Sequence, residues 1–268
     1  MNNINKTLYI PLYGKSFVSR KGIILSDKKA EEIWAKEGFK LKGKSRSKWL
    51  AYYMGIRSAV FDSWVKEKMA ESGDSVIIHI GCGMDSRAER IGTSNHLWFD
   101  FDFPEVITER QRYFSENDCY KMISGDAREP KWLSKIQGSK SAIIIMEGVS
   151  MYLRPEELNN LLIEIGNRFD NVDLLMDCYS VFAAKASKYK NPINDVGVTQ
   201  VYGIDDPALL VRGTALHFRG EKEMTPGSYI EELSGMEKTI FKKLYAGKMA
   251  KKMYKLYEFE GRKISLEK

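Results

Sequence analysis

Residues 75–102, SVIIHIGCGMDSRAERIGTSNHLWFDFD, constrain the fold more than any other stretch of the chain. An apolar run (Val76, Ile77, Ile78, Ile80) stops at Gly81-Cys82-Gly83, an amphipathic segment follows, and a second apolar run (Leu97, Trp98, Phe99) ends in acids. Short apolar runs on either side of a helical interval read as strand, glycine turn, helix, strand. In an open parallel sheet the carboxyl end of such a strand borders a crevice, and glycine there lets a ligand approach exposed backbone N–H groups. Asp100 or Asp102, about 20 residues after the turn, stands where an acid accepts hydrogen bonds from a ribose. A bare G-x-G is equally the mark of a tight strand-to-helix connection with no ligand.

A dinucleotide fold asks for a third glycine three positions after the second, and Ser86 stands there instead. That glycine serves a pyrophosphate. A ligand that carries adenosine without phosphates does not need it, so the GCGMDS turn points to S-adenosylmethionine ahead of NAD.

The remaining pattern places other residues on the same edge. Tyr120–Ile123 reads as a third strand ending at Ser124-Gly125-Asp126-Ala127. Asp126 there either accepts from an adenine amine or caps the turn before EPKWLSKI. Ser141–Met146 is apolar without alternation, as a strand buried on both faces must be, and Glu147 at its mouth is costly unless paired, for example by a ligand amine. Val172–Cys178 is a fifth strand. Proline-opened helices begin at Pro104 and Pro155, and strands alternating with helices make an α/β, doubly wound parallel sheet.

Residues 1–74 read as mostly helical, and Trp49–Met69 is a long amphipathic helix whose apolar stripe contains Arg57. An arginine so placed needs a carboxylate, either a side chain such as Asp62 or a ligand. After Cys178 the rhythm breaks. Residues 179–212, with Asn191-Pro192-Ile193-Asn194-Asp195, are irregular and polar, which fits an inserted cap over the crevice. Leu216–Phe218 and Leu256–Phe259 are two late strands, and Lys242, Lys243, Lys248, Lys251 and Lys252 between them read as a solvated helix face.

The 268 residues carry 42 basic and 36 acidic side chains, a mixed surface at +6 that does not indicate nucleic-acid binding. Three widely spaced cysteines (Cys82, Cys119, Cys178) suit free thiols in a cytoplasmic protein, and no Cys/His cluster offers a metal site. MNNINKTLYIPLYGK lacks the basic start and apolar core of a signal peptide, and no run approaches the length of a membrane span. A soluble chain with no membrane partner is therefore expected.

The segments TLYIPLYGKSFVSRKGIILSDKKAEEI, R-x-x-x-F-D from Arg57 to Asp62, GCGMDSR, WFDFDFPEVI, GDAR and EGVSMYL occur in one order. Together they resemble the leucine carboxyl methyltransferase family, in its bacterial branch of tetracenomycin-type polyketide O-methyltransferases. The resemblance implies a class I S-adenosylmethionine fold of seven strands, Rossmann-like, with the last strand antiparallel. With no composition break, the chain reads as one domain, 1–268: a helical N-terminal cap (1–74), a cofactor-binding core (75–178), an inserted cap (179–214) and C-terminal strands with a helix (215–268). The resemblance adds that helical elements cap the cofactor. It gives Arg57 to the cofactor carboxylate, Gly81 and Gly83 to the methionine moiety, Asp102 to the ribose with Asp100 competing, Asp126 and Ala127 to the adenine, and Glu147 to the amino end.

The acceptor implied is a carboxylate or hydroxyl of a small molecule or peptide. A carboxylate is already a nucleophile, so no catalytic residue is assigned. An alcohol would need a base, for which Tyr152 and His217 are the candidates. A non-catalytic S-adenosylmethionine-binding protein and, more remotely, a nicotinamide oxidoreductase are the competing readings. Nothing in the sequence speaks to oligomeric state.

Overall fold

The computed structural model describes residues 8–37, 41, 43–190 and 200–263, so the Asn191–Asp195 stretch lies outside the described residues. Seven strands form one sheet: β1 (Val76–Ile80), β2 (Trp98–Asp102), β3 (Tyr120–Ser124), β4 (Ser141–Met146), β5 (Asn171–Tyr179), β6 (His217–Lys222) and β7 (Tyr254–Arg262), in the order β3-β2-β1-β4-β5-β7-β6. β1 to β5 pair in parallel, while β7 runs antiparallel to both β5 and β6. Every residue of β1 is buried, as are all of β4 after Ser141, which is why both read as unbroken apolar runs.

Helices cover both faces. Along the chain they are α1 (Tyr9–Lys21), α2 (Lys28–Glu37), α3 (Lys48–Glu71), α4 (Arg87–Ile91), α5 (Pro104–Arg110), α6 (Pro155–Arg168), α7 (Val181–Lys190), α8 (Pro207–Leu210), α9 (Gly227–Glu231), α10 (Gly235–Tyr245) and α11 (Lys248–Met253). Alternate residues of the central strands divide between two cores. Ile77, Ile143, Ile145 and Leu175 pack with Ile56, Phe61 and Trp64 of α3. Ile78, Ile80, Ile144 and Leu174 pack with Leu158, Leu161, Leu162 and Ile165 of α6.

Strand order turns outward in both directions at β1 and β4, so the connections after them leave on opposite sides. The crevice beyond their carboxyl ends is where an open α/β sheet binds ligands. Part of the stretch expected to be irregular is helical: α7 and α8 lie within 179–212. The first late strand is displaced, running from His217 to Lys222, while Leu216 is buried just before it. Among the described residues no helix is long and apolar enough to cross a membrane.

Candidate active site

Gly81 and Gly83 both adopt positive φ, +72° and +52°. A Cβ on Gly81 would lie 2.1 Å from Val149 Cγ2, so the loop after β4 closes over the turn only because that side chain is absent. The hydrogen-bond accounting revises the expectation of exposed donors. Gly81 and Cys82 N–H both go to the Phe101 carbonyl (2.7 and 3.2 Å), and Gly83 N–H goes to Asp102 Oδ2 (2.8 Å). The turn supplies room for a ligand, while its N–H groups knit β1 to β2. Ser86 donates to Asp27 Oδ1 at 2.6 Å, tying the loop to the start of α2.

Asp100 and Asp102 are two residues apart and so share a face of the sheet, differing by about 6.6 Å in depth along β2. Asp102 lines the cavity at the strand's end. Its oxygens accept one backbone N–H each, Gly83 and Phe103 at 2.8 Å, and burial outweighs those donors to lift its carboxyl to about 6. Asp100 lies outside the cavity lining, fully enclosed, with Trp98 Nε1 at 2.9 Å, Tyr120 Oη at 2.6 Å and a close Arg110 guanidinium. Against burial, Arg110 holds it down to about 2. Of the two acids, Asp102 is the one that faces the cavity, and Asp100 is a buried counter-ion to Arg110 inside the sheet.

Asp126 and Ala127 do reach the cavity from the end of β3. Asp126 is clamped by Arg128, whose Nε donates to both carboxylate oxygens at 2.9 Å and whose backbone N–H donates to Oδ1 at 2.9 Å, so the local turn accounts for its hydrogen bonds.

Arg57, 4% exposed on α3, points to the ends of β4 and β5. Its Nε donates to Glu147 Oε1 at 3.0 Å, and Nη1 donates to Asp177 Oδ2 at 3.0 Å and to Tyr254 Oη at 2.9 Å. Asp62 is not its partner. Among the described residues Nη2 makes no hydrogen bond, and it lies near Gly148, where an added Cβ would come within 3.4 Å of it. Asp177 also accepts Gly148 N–H at 2.7 Å and the Tyr254 hydroxyl at 2.5 Å.

Glu147 is paired without any ligand amine: Ser58 Oγ (3.0 Å) joins Arg57 at one oxygen and Arg87 Nη2 holds the other. Against burial, Arg87 and Arg57 keep its carboxyl at about 2. The network continues through Asp62, Arg90, Asp27 and Asp85 to Lys15 of α1, 2.9 Å from Asp85. In this connected cluster Lys15, Arg57, Arg87 and Arg90 face Asp27, Asp62, Asp85, Glu147 and Asp177. Ionised, it carries one surplus negative charge, the complement of a ligand with net charge +1.

Sequence reasoning missed Lys15, Tyr53, Asp177 and Tyr254, all in or against this site. The signal available was an acid inside the apolar VDLLMDC and a lysine inside the apolar IPLYGKSF. Of the two catalytic candidates, Tyr152 lines the cavity and His217 does not. His217 is exposed on β6, the edge strand beyond β7, on the far side of the sheet from the crevice at β1 and β4.

The cavity is about 930 Å³, at the upper end of the size of small-molecule sites, which suits a cofactor and an acceptor together. One wall is the strand-end edge just described; the other is apolar and comes from α1, α3, α7, α10 and α11, with Ile10, Leu50, Tyr53, Met54, Tyr245 and Met253 among its residues. The strand-end wall fits S-adenosylmethionine on three observations: a turn emptied of side chains, a carboxylate with acceptor capacity at the end of β2, and a spare guanidinium N–H beside a cluster of net negative charge.

The chain is 26% identical over 246 residues, 90% of each protein, to the tetracenomycin polyketide synthesis O-methyltransferase TcmP of Streptomyces glaucescens. It is also 26% identical over 179 residues, 61% of this chain and 60% of the relative, to the S-adenosyl-L-methionine-dependent methyltransferase dpfgK of Gibberella zeae. Among solved structures, the magnesium protoporphyrin IX methyltransferase ChlM of Synechocystis PCC 6803 with bound S-adenosylhomocysteine shares the fold, at a TM-score of 0.50 and 11% identity over 88% of this chain and all of that one. Residues 3–166 match the family described as leucine carboxyl methyltransferase. The chain belongs to the leucine carboxyl methyltransferase family and is an S-adenosylmethionine-dependent methyltransferase.

Proposed function

We propose that this enzyme methylates an oxygen of an apolar small molecule, and that the oxygen is one that is already anionic, a carboxylate or an acidic phenol. The observation that carries this reading is the chemistry of the cap wall. Its cations Lys15 and Arg57 are held by Asp85, Glu147 and Asp177, and its remaining polar groups are Ser187 and tyrosines. Burial raises Tyr53 and Tyr245, and Tyr254 of β7 beside them, above the ordinary phenol range, so they are neutral and do not act as bases. Among the described residues the cap wall holds no histidine or carboxylate. The similarity to a tetracenomycin polyketide synthesis O-methyltransferase supports an oxygen acceptor.

When bound, S-adenosylmethionine would supply an electrophilic sulfonium methyl group for an acceptor oxygen, its own leaving group being a neutral thioether. The chain's part is to bind, align and keep out water. In this reading Asp102 takes the ribose hydroxyls, Arg57 Nη2 takes the cofactor carboxylate, and Glu147 and Asp177 hold Arg57 in place. Gly81 and Gly83 keep the floor open, while Gly125, Asp126 and Ala127 border the adenine. The cap wall sets an apolar acceptor against the methyl group, and its low polarity strengthens the attraction between an anionic oxygen and the sulfonium.

The test is turnover with radiolabelled S-adenosylmethionine against aromatic carboxylic acids, their phenol and alcohol counterparts, and short peptides. The expected result is label in the carboxylic acids or acidic phenols, released by base where a methyl ester forms. Turnover confined to peptides or simple alcohols would overturn the acceptor assignment. Tight S-adenosylhomocysteine binding with no turnover on any acceptor would favour a non-catalytic cofactor-binding protein.

A further inference from the structure

α10 is apolar on two sides. Phe241 is fully buried against the core, while Met236, Ile240 and Leu244, spaced four apart and so stacked in one stripe, are 81%, 37% and 52% exposed. The stripe continues onto α11 with Met249, 65% exposed. Leu244 and Met249 also line the mouth of the methyl-transfer cavity, so the stripe and the mouth are one continuous surface.

Lysines surround it. Lys238 and Lys242 pair with Glu231, and Lys251 pairs with Glu223. Lys243, Lys248 and Lys252 are exposed and form no ion pair among the described residues. The acid of α10, Glu237, is turned away to Lys21, Lys48 and Tyr52.

We propose that the α10–α11 face docks on an anionic lipid surface and presents the cavity mouth to it. The composition separates this from a protein interface. Protein-binding patches are enriched in aromatic residues, methionine and arginine and depleted in lysine. Methionine suits either surface, so the discriminating features are the lysines, three of them without an acid partner among the described residues, and the lack of aromatic and arginine side chains in the stripe, which is how an interfacial helix meets anionic lipid. The geometry supplies a use: an apolar acceptor dissolved in the bilayer reaches the cavity past Leu244 and Met249 without crossing water. This last point rests on the apolar-acceptor reading, while the docking itself does not. Surface docking needs no spanning segment, so it replaces the expectation of no membrane partner, and it gives the lysine run a role beyond a solvated face.

The experiment is co-sedimentation of the full chain with phosphatidylcholine vesicles, with and without phosphatidylglycerol, at two salt concentrations and with no acceptor present. The wild type is expected on the anionic vesicles only, with binding weakened by salt. Lys243→Glu/Lys248→Glu/Lys252→Glu is expected to weaken it roughly 100-fold, since each near-surface lysine is worth about fivefold. Met236→Ser/Ile240→Ser, which keeps every lysine, is expected to weaken it roughly tenfold. Both variants should bind S-adenosylhomocysteine as the wild type does, which shows that they are folded. Wild-type protein that ignores anionic vesicles, or binding that survives the triple charge reversal, would overturn the proposal. So would a concentration-dependent dimer that Met236→Ser/Ile240→Ser dissolves without any vesicle binding, which would make a second copy the occupant of the stripe.

Discussion

Arg57→Ala separates what the guanidinium does for the fold from what it does for the cofactor. The substitution removes bonds at 3.0 Å to Glu147, 3.0 Å to Asp177 and 2.9 Å to Tyr254. Glu147 keeps Arg87 and Ser58, so its charge stays paired. Asp177, fully buried, keeps only the Gly148 N–H and the Tyr254 hydroxyl and loses its cation. A buried ion pair broken on one side costs about 3–5 kcal/mol, and Asp177, whose carboxyl burial already raises, can shed its charge by taking a proton. The lower end, about 3 kcal/mol, is therefore expected, a large part of a typical stability of about 5–15 kcal/mol. In Arg57→Ala/Asp177→Asn the amide still accepts from Gly148 and strands no charge, so about 1–2 kcal/mol should return.

Cofactor affinity should not return with it. Both variants lack the spare Nη2, and a hydrogen bond from a charged donor is worth about 1.5–3 kcal/mol, roughly 10- to 150-fold in Kd. Urea unfolding followed by tryptophan fluorescence reads the first quantity, and calorimetric titration with S-adenosylhomocysteine on folded protein reads the second. A double variant no more stable than Arg57→Ala would refute the buried-charge argument. Wild-type affinity in either variant would remove Arg57 from the cofactor.

The position of Asp102 sets a pH dependence. Its folded-state value of about 6 lies above the ordinary carboxylate, so ionising it disfavours the fold as pH rises toward 6, while ribose hydroxyls favour the ionised form. S-adenosylhomocysteine affinity is expected to fall about tenfold per unit below pH 6, and Asp102→Asn should bind weakly with that dependence gone. Asp100→Asn should instead lower stability through its buried Arg110 partner and leave the affinity of the folded protein nearly unchanged; the reverse pattern in titration and unfolding would exchange the two roles. Gly81→Ala forces a side chain to φ +72° and to within 2.1 Å of Val149, and should cost about 2–5 kcal/mol, with the steric part, about 1–3 kcal/mol, recovered by Val149→Ala in a urea double-mutant cycle. His217→Ala should leave kcat and KM within about twofold, because an exposed edge-strand side chain touches nothing in the cavity.

What the sequence determined is what local pattern carries. Val76–Ile80 and Ser141–Met146 could be read as central strands because burial on both faces leaves no alternation, and the glycine turn could be read because positive φ is a backbone demand met cheaply by one residue. The strand-end position of Asp102, Asp126 and Glu147 followed from the same runs. Tertiary structure decided the partners. Arg57 meets Glu147 across 90 residues and Asp177 across 120, separations over which no periodicity speaks. Asp100 and Asp102 have the same residue type, the same strand and the same face, and differ only in depth, which the packing of Arg110 and Tyr120 over the inner one sets. His217 sits in a sequence that reads as a strand, but strand order put that strand at the edge, away from the crevice. Side-chain patterning records which way a residue faces, whereas the charge it meets depends on which distant segments the two cores bring together.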